Sequence, residues 1–439
     1  MEWSFRKKYR IESKKASNIL IGIFLLGIYS ILFIANEQGS MNIPIAVLII
    51  LTDVIMIYKC RNNWFALVIT GVISYYNYSI CMAEYLFVSE NTTYYTYYSG
   101  SVYSNKGIVI LAIFNLLLFF AMLRISENFG NKRTNCSILE NNKSNSFIVI
   151  LLCIALVLIW FFGFKRPDNI GERGTPNPYF EYSIILIILG YYYSGNDRIR
   201  INALNIISFS YVLLNFLYGG RATGIQIVLC LVLCIWANHI NNRILFIGGI
   251  ALFFFMTLIG MMRANWVLDS ESFSNVYNRL MDTKFTNDTS FSAYHTSLTF
   301  INYLDMVDWH ERIVLFGSFL MSIFAGGSVY GSNLSMITRQ FFYHNYGGVL
   351  PFYFFFYLGY AGLAVIAVYM FIVLRNTIRN GSEHNGLGRC IGIYVASTSL
   401  RWYIFSPFQL TRGVMLMIVA FYLLKFLDSL FERKKFRKE

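Results

Sequence analysis

The sequence predicts an all-α polytopic membrane protein of about twelve transmembrane helices, with one long outer segment that carries a re-entrant or interfacial helix. Three observations carry that prediction. Of 439 residues, 56% are apolar and only 13% are charged, roughly half the charged share of a soluble domain. The apolar residues come in blocks of about 16 to 25, and a helix needs about 20 to cross a hydrocarbon core about 30 Å thick. Lipid offers the backbone no partners, so a spanning segment is a helix or part of a closed barrel. Blocks this long exclude barrel strands, which alternate over about ten residues.

Spans are expected near 18–36, 43–58, 64–88, 107–124, 147–164, 179–194, 202–218, 224–238, 244–262, 350–374, 390–407 and 413–429. The further run Ile313–Ala325, about 13 residues, is short for a crossing and suits a re-entrant or interfacial helix. Basic residues set the orientation. With the N-terminus inside, 24 of the 36 Lys and Arg residues fall in cytoplasmic segments, 11 in outer ones and Arg401 within a span. A full crossing by Ile313–Ala325 would turn the basic tail Glu432–Lys438 outward, against that rule. The chain is therefore read as a single transmembrane domain, 1–439, with both termini cytoplasmic and 263–349 as one large extracytoplasmic segment. Loops of that length in a compact protein are usually functional.

The net charge of +13 sits in loops and tails, which favours a topological meaning over nucleic-acid binding. The basic stretch Arg6–Lys15 precedes the first apolar run without a small-residue cleavage site after it, the pattern of a signal anchor. Seven cysteines, an odd count without metal spacing, imply no disulfide framework. Neither an internal repeat nor a separate soluble domain is visible.

The candidate chemistry lies in the outer connections. Ser89–Lys106 is rich in tyrosine (Tyr94, Tyr95, Tyr97, Tyr98, Tyr103), which fits either an interfacial belt or a sugar-stacking surface. Arg221, Arg263, Arg339 and Arg412 stand at or near outer span ends, where the positive-inside rule disfavours them. A guanidinium fork matches phosphate oxygens in a bidentate way, more strongly where water is scarce. The alternative for each is snorkelling to the interface or pairing with an acid such as Glu181 or Asp269. Gly219, Gly220 and Gly224 flank Arg221 and allow a tight turn there.

Among the histidines, His344 follows Arg339 by five residues and precedes the span near 350. Its imidazole suits a proton acceptor for a hydroxyl, or a phosphate ligand, unless it is structural. His295, Tyr343 and Asn345 are candidates for contacting an acceptor. Asp305 and Asp308 would share a face if helical, with capping as the other reading. Asp53 and Glu84 lie within spans, where an acid is either a functional candidate or the partner of Arg401, which also lies in a span. No nucleotide loop, zinc spacing, hydrolase elbow or heme motif occurs, so no cofactor is expected. An arginine-bearing outer face suits a substrate that already carries phosphate in the membrane.

On three local patches the chain resembles bacterial O-antigen and capsule repeat-unit polymerases of the Wzy type, relatives of the O-antigen ligases. Gly219-Gly220-Arg221-Ala222-Thr223-Gly224 before an apolar span is similar to that family's Gly/Ser-Arg-Thr-Gly element. His344-Asn345 leading into Gly359-Tyr360-Ala361-Gly362 is similar to its His-Asn and Gly-x-x-Gly pattern, and Arg263 opens the large loop in the expected place. The stretch Pro351–Phe356 lacks the Glu that polymerases often carry before the Gly-x-x-Gly. The gap from His344 to Gly359 is longer than in ligases.

The resemblance implies a multi-pass protein of the bacterial inner membrane. It implies metal-independent, inverting glycosyl transfer between undecaprenyl-pyrophosphate-linked oligosaccharides at the outer face, beside a flippase and a chain-length regulator. Ligase, and transporter or flippase of the same lipid-linked glycan, are the alternatives. Under it, Arg221, Arg263, Arg339 and Arg412 would hold the pyrophosphate. Catalytic roles would fall to His344, Arg221 and Arg263, with membrane lipid and no nucleic acid as partners.

Overall fold

The computed structural model describes residues 2–87, 97–127, 143–168, 174–218, 220–236, 284–286, 288–327, 329–345, 347–379 and 386–436, with isolated positions between 247 and 282. Of 2–15, 126–127, 288, 377–379 and 431–436 it describes the backbone alone. In chain order the helices are α1 (Glu2–Ala35), α2 (Asn42–Cys60), α3 (Trp64–Cys81), α4 (Val102–Glu127) and α5 (Ser146–Phe162). A short hairpin follows, β1 (Phe164–Lys165) against β2 (Thr175–Pro176). Then come α6 (Pro178–Tyr193), α7 (Arg198–Leu217), α8 (Arg221–Leu231), α9 (Asp288–Leu304), α10 (Trp309–Ala325) and α11 (Leu334–Thr338). The last are α12 (Leu350–Leu358), α13 (Tyr360–Arg379), α14 (Gly386–Ser397), α15 (Ser399–Trp402) and α16 (Phe408–Phe436).

The protein is an all-α multi-pass membrane protein. Six described helices are long and apolar enough to cross a bilayer: Ala16–Ala35, Asn42–Cys60, Trp64–Leu86, Val102–Ile125, Arg198–Leu217 and Phe408–Leu430. Ser146–Phe162, Arg221–Trp236 and Tyr360–Asn376 are shorter apolar helices. Large apolar side chains such as Ile19, Ile23 and Phe24 on α1, or Tyr422, Leu423 and Phe426 on α16, are exposed. On a membrane helix that is the surface lipid covers.

Polar residues set where the helices start. Asn63, Asn145, Asn177 and Asp197 each accept a hydrogen bond from a backbone N–H in the first turn of α3, α5, α6 and α7. Pro178 takes the first position of α6, where its missing N–H costs nothing. The span near 244–262 lies largely outside the described residues.

The chain forms two compact units. Unit 1 comprises 1–134, 283–375 and 403–407, and unit 2 comprises 135–282, 376–402 and 408–439. In unit 1, α2 packs on α3 and α4, and α9 packs on α3, α4, α11 and α12. In unit 2, α6 packs on α5, α14 and α16, while α8 packs on α7, α14 and α15.

Several expectations change. The span expected over 350–374 is two helices, α12 and α13, broken at Gly359, whose φ of +63° excludes helical continuation. The span expected over 390–407 ends at Ser397, continues as the single turn α15, and is non-helical from Tyr403 to Pro407. Within the segment 263–349 lies α9, whose residues from Ser290 to Tyr303 are nearly all buried. The Ile313–Ala325 element starts earlier, at Trp309, capped by Asp308 through the Glu311 N–H. Asp305 sits in the turn after α9 and accepts from the Tyr103 hydroxyl at 3.2 Å, so Asp305 and Asp308 share no helix face.

Candidate functional site

Unit 2 gathers charge at the beginnings of three helices. Arg401, on α15, donates one guanidinium nitrogen to the Glu181 carboxylate on the first turns of α6, and another to the Thr223 hydroxyl at 3.5 Å on the first turn of α8. Arg412, on the first turns of α16, lies over the ring of Tyr182, 5.6 Å from its centroid. Its Nε is buried without a hydrogen-bond partner among the described residues. The Gln226 amide donates to the Thr398 carbonyl at 3.4 Å and to the Gln409 side chain at 3.5 Å, tying α8 to the start of α16. The first turns of α6, α8 and α16 are therefore neighbours.

Each helix beginning carries a partial positive charge, in α6 already capped by Asn177, and three of them together with two guanidinium groups favour an anion. Glu181 neutralises only part of that charge. In place of the pairing expected between Arg401 and one of the intramembrane acids Asp53 and Glu84, Arg401 pairs with Glu181, and that pair is part-exposed, at 18% and 26%. Arg221 is the first residue of α8, two positions before Thr223. Its turn is made by the Gly220 N–H donating to the Asn215 carbonyl at 2.7 Å. Of the arginines named for a pyrophosphate, Arg221 and Arg412 thus lie in unit 2. Arg339 lies in unit 1, and Arg263 and Asp269 lie outside the described residues.

Unit 1 holds the candidate histidines, His295 and His344. The His344 ring is almost fully buried, with Nδ1 bonded to the Asn345 carbonyl and Nε2 3.0 Å from the Thr338 hydroxyl. A ring nitrogen facing a carbonyl must donate, so Nδ1 carries the proton and Nε2 accepts from Thr338. Burial holds the imidazole below its ordinary range, the Asn345 carbonyl opposes that, and Arg339 adds to it. Both ring nitrogens are engaged by the chain itself, so a base role for His344 needs the Thr338 bond to be given up.

The loop after His344 is stapled by short hydroxyls. Thr296 donates to the Asn345 carbonyl at 2.9 Å, and Asn345 donates its amide to Ser292 at 3.0 Å. Ser335 accepts from the Gly347 N–H at 3.1 Å and Ser297 from the Val349 N–H at 2.7 Å. Gly348, at φ +140°, leaves no room for a side chain, since a Cβ would stand 2.7 Å from the Phe300 ring. This accounts for the polarity of α9: Ser292, Thr296 and Ser297 satisfy loop groups that would otherwise be buried without partners.

His295, on the same helix, packs against the Tyr98 ring with centroids 5.2 Å apart. Burial first, and the nearby His344 second, hold its pKa down to about 4. Tyr98 in turn accepts from the Asn302 amide at 2.9 Å. Tyr98 is a buried side chain and Tyr97 an exposed one. Tyr94 and Tyr95 lie outside the described residues. Tyr343, named for acceptor contact, is 95% exposed.

Arg401, Glu181 and Tyr182 were not singled out as site residues from the sequence. The signal available for the first two was a charged residue inside an apolar run. Comparison of the chain with protein-family models, characterised proteins and solved structures gives no match.

Proposed function

We propose that the protein is a repeat-unit polymerase, joining undecaprenyl-pyrophosphate-linked oligosaccharides into a surface polysaccharide at the outer face of the bacterial inner membrane. The observation that supports this reading is the gathering of Arg401, Arg412 and the first turns of α6, α8 and α16 in unit 2. In the orientation set by the basic residues, with both termini cytoplasmic and about twelve crossings, the beginnings of those helices face outward.

In such a transfer an acceptor hydroxyl attacks the anomeric carbon of the donor glycan. The bond from that carbon to the pyrophosphate oxygen breaks, and the hydroxyl proton passes to a base. Negative charge grows on the leaving pyrophosphate. Arg401 and Arg412 stabilise it, with Arg221 at the head of α8, where preorganised donors are worth most. A flippase that delivers the units and a chain-length regulator are the partners this activity needs.

A transport reading is favoured by one observation, the helix breaks at Gly359 and after Ser397, because discontinuous helices commonly line transporter sites. One experiment separates the two. Purified protein in detergent is given synthetic undecaprenyl-pyrophosphate repeat units. Polymerisation yields a ladder of longer glycans. Absence of a ladder, with translocation of the same lipid in liposomes, overturns the polymerase reading, and a single transfer to a foreign acceptor identifies a ligase.

A further inference from the structure

Tyr97, Tyr98 and Tyr103 form one packed cluster in unit 1. Tyr97, 84% exposed, stands edge-to-face with Tyr98, ring centroids 5.0 Å apart, and Tyr98 stands edge-to-face with Tyr103 at 5.6 Å. Tyr98 is buried against the His295 ring, and its hydroxyl accepts from the Asn302 amide on α9. The hydroxyl of Tyr103, on the first turn of α4, donates to Asp305 Oδ2 at 3.2 Å. Glu84 fixes the backbone that carries these rings. It is buried in a single π-helical turn, Met82–Leu86, that follows α3, and such turns concentrate at functional sites. Its two carboxylate oxygens accept from the hydroxyls of Ser99 at 3.0 Å and Ser104 at 2.7 Å, and the Ser101 N–H donates to the Tyr98 carbonyl at 3.0 Å. One buried acid therefore holds both the turn of Tyr97 and Tyr98 and the helix start of Tyr103.

A belt of membrane tyrosines rests among lipid headgroups and turns its hydroxyls to water. Here the hydroxyls of Tyr98 and Tyr103 are taken up by Asn302 and by Asp305, whose side chain is exposed. A carboxylate at that point repels the phosphate of a lipid headgroup and accepts strongly from neutral hydroxyls. It offers about four acceptor positions, so the bond from Tyr103 does not exhaust it. A pyranose ring matches both parts of the surface. Its face of C–H groups packs on the electron-rich face of an aromatic ring, and the hydroxyls on its rim donate to a carboxylate beside that ring. Rings already ordered by their neighbours lose little freedom when a ligand lands on them.

We propose that Tyr97, Tyr98, Tyr103 and Asp305 form a carbohydrate-binding platform in unit 1, which takes an uncharged oligosaccharide by stacking on Tyr97 and by hydroxyl bonds to Asp305. Glu84 is its positioning residue. The platform is separate from the arginine cluster of unit 2, and it rests on the glycosyl-transfer reading only for the source of its ligand, the glycan of the lipid-linked unit.

The test uses the free repeat-unit oligosaccharide, released by mild acid from the lipid-linked units of the source cells, and the full-length protein in nanodiscs. Saturation transfer from protein to sugar is read by NMR during a titration. The platform predicts transfer to the C–H protons of the sugar and an apparent affinity about tenfold weaker in Tyr97→Ala, the loss of one stacking contact. Tyr97→Phe keeps the ring and should stay within about twofold of the wild type. Asp305→Asn keeps the shape without the charge and should bind more weakly than the wild type. Tyr97 is a surface side chain, so its variants keep the fold. No transfer in the wild type, or equal affinity in the wild type and Tyr97→Ala, overturns the proposal and leaves the rings as an interfacial belt. A ladder of longer glycans without this binding contradicts the platform alone, and this binding without a ladder contradicts the polymerase reading alone.

Discussion

Arg401 and Glu181 are joined by a guanidinium–carboxylate contact that ties α15 to the first turns of α6. Because Arg401 also reaches Thr223, one side chain holds two helix beginnings together. A substrate anion arriving there would compete with Glu181 for the same guanidinium. Arg401→Ala is therefore expected to lower glycan extension by about two orders of magnitude, the usual cost of losing one preorganised donor to a developing anion. Stability should change by only about 1 kcal/mol, since the pair is part-exposed. Arg401→Lys keeps the charge but not the fork, and should recover only part of the rate. Extension rate and melting midpoint, measured together, check all three.

Gly348 permits the loop that follows His344. Gly348→Ala puts a methyl group against Phe300 and Tyr353 at a φ of +140°. The expected loss is about 2 kcal/mol or more, from strain and overpacking together. Gly359→Ala is the control. It has open space around it, so its cost is backbone strain alone, about 1–3 kcal/mol for φ +63° with ψ −147°, a region essentially reserved for glycine. Denaturation of the two variants in one detergent gives the comparison.

The two buried histidines make stability depend on pH. His295 titrates near 4 in the folded chain, below its unfolded value of about 6.5. Between those values the unfolded chain binds more protons, so stability is complete above about pH 6.5 and falls as pH drops toward 4. The contribution of His295 is on the order of 2 kcal/mol. His295→Gln should flatten the fall of the melting midpoint between pH 7 and pH 4.5. An unchanged slope would mean that His295 titrates alike in both states.

Sidedness is open to labelling. Tyr343, fully exposed on the segment before α12, and Arg198, exposed at the start of α7, are expected on opposite faces. In intact cells a membrane-impermeant thiol reagent should modify Tyr343→Cys and spare Arg198→Cys. Equal labelling would overturn the orientation.

Hydropathy made the long helices legible. α2, α4 and α7 read as spans because their polar residues are few and lipid admits no other backbone solution. It missed α9, which is buried yet carries Ser292, His295, Thr296, Ser297 and Thr299. The hydroxyls hydrogen-bond a loop or the helix's own backbone and His295 packs on the Tyr98 ring, and burial with partners leaves no apolar signature. The break at Gly359 was also hidden, because apolar residues on both sides run on without interruption. At the site, the outer arginines drew notice through the positive-inside rule. Glu181 was named only as a possible partner for those arginines; its pairing with Arg401, 220 residues away in sequence, is made by tertiary packing alone. Asp53 was noticed as a charge within a span, and its neighbours Asn77 and Asn115 give no signal until three helices pack.

The most direct measurement of the central claim is binding of undecaprenyl pyrophosphate, compared with undecaprenol, by the protein in nanodiscs, for wild type and Arg412→Ala. The account predicts that the wild type retains the pyrophosphate in preference to the alcohol and that Arg412→Ala loses that preference at least tenfold. Equal retention of the two lipids by the wild-type protein, or an unchanged preference in the variant, would contradict it.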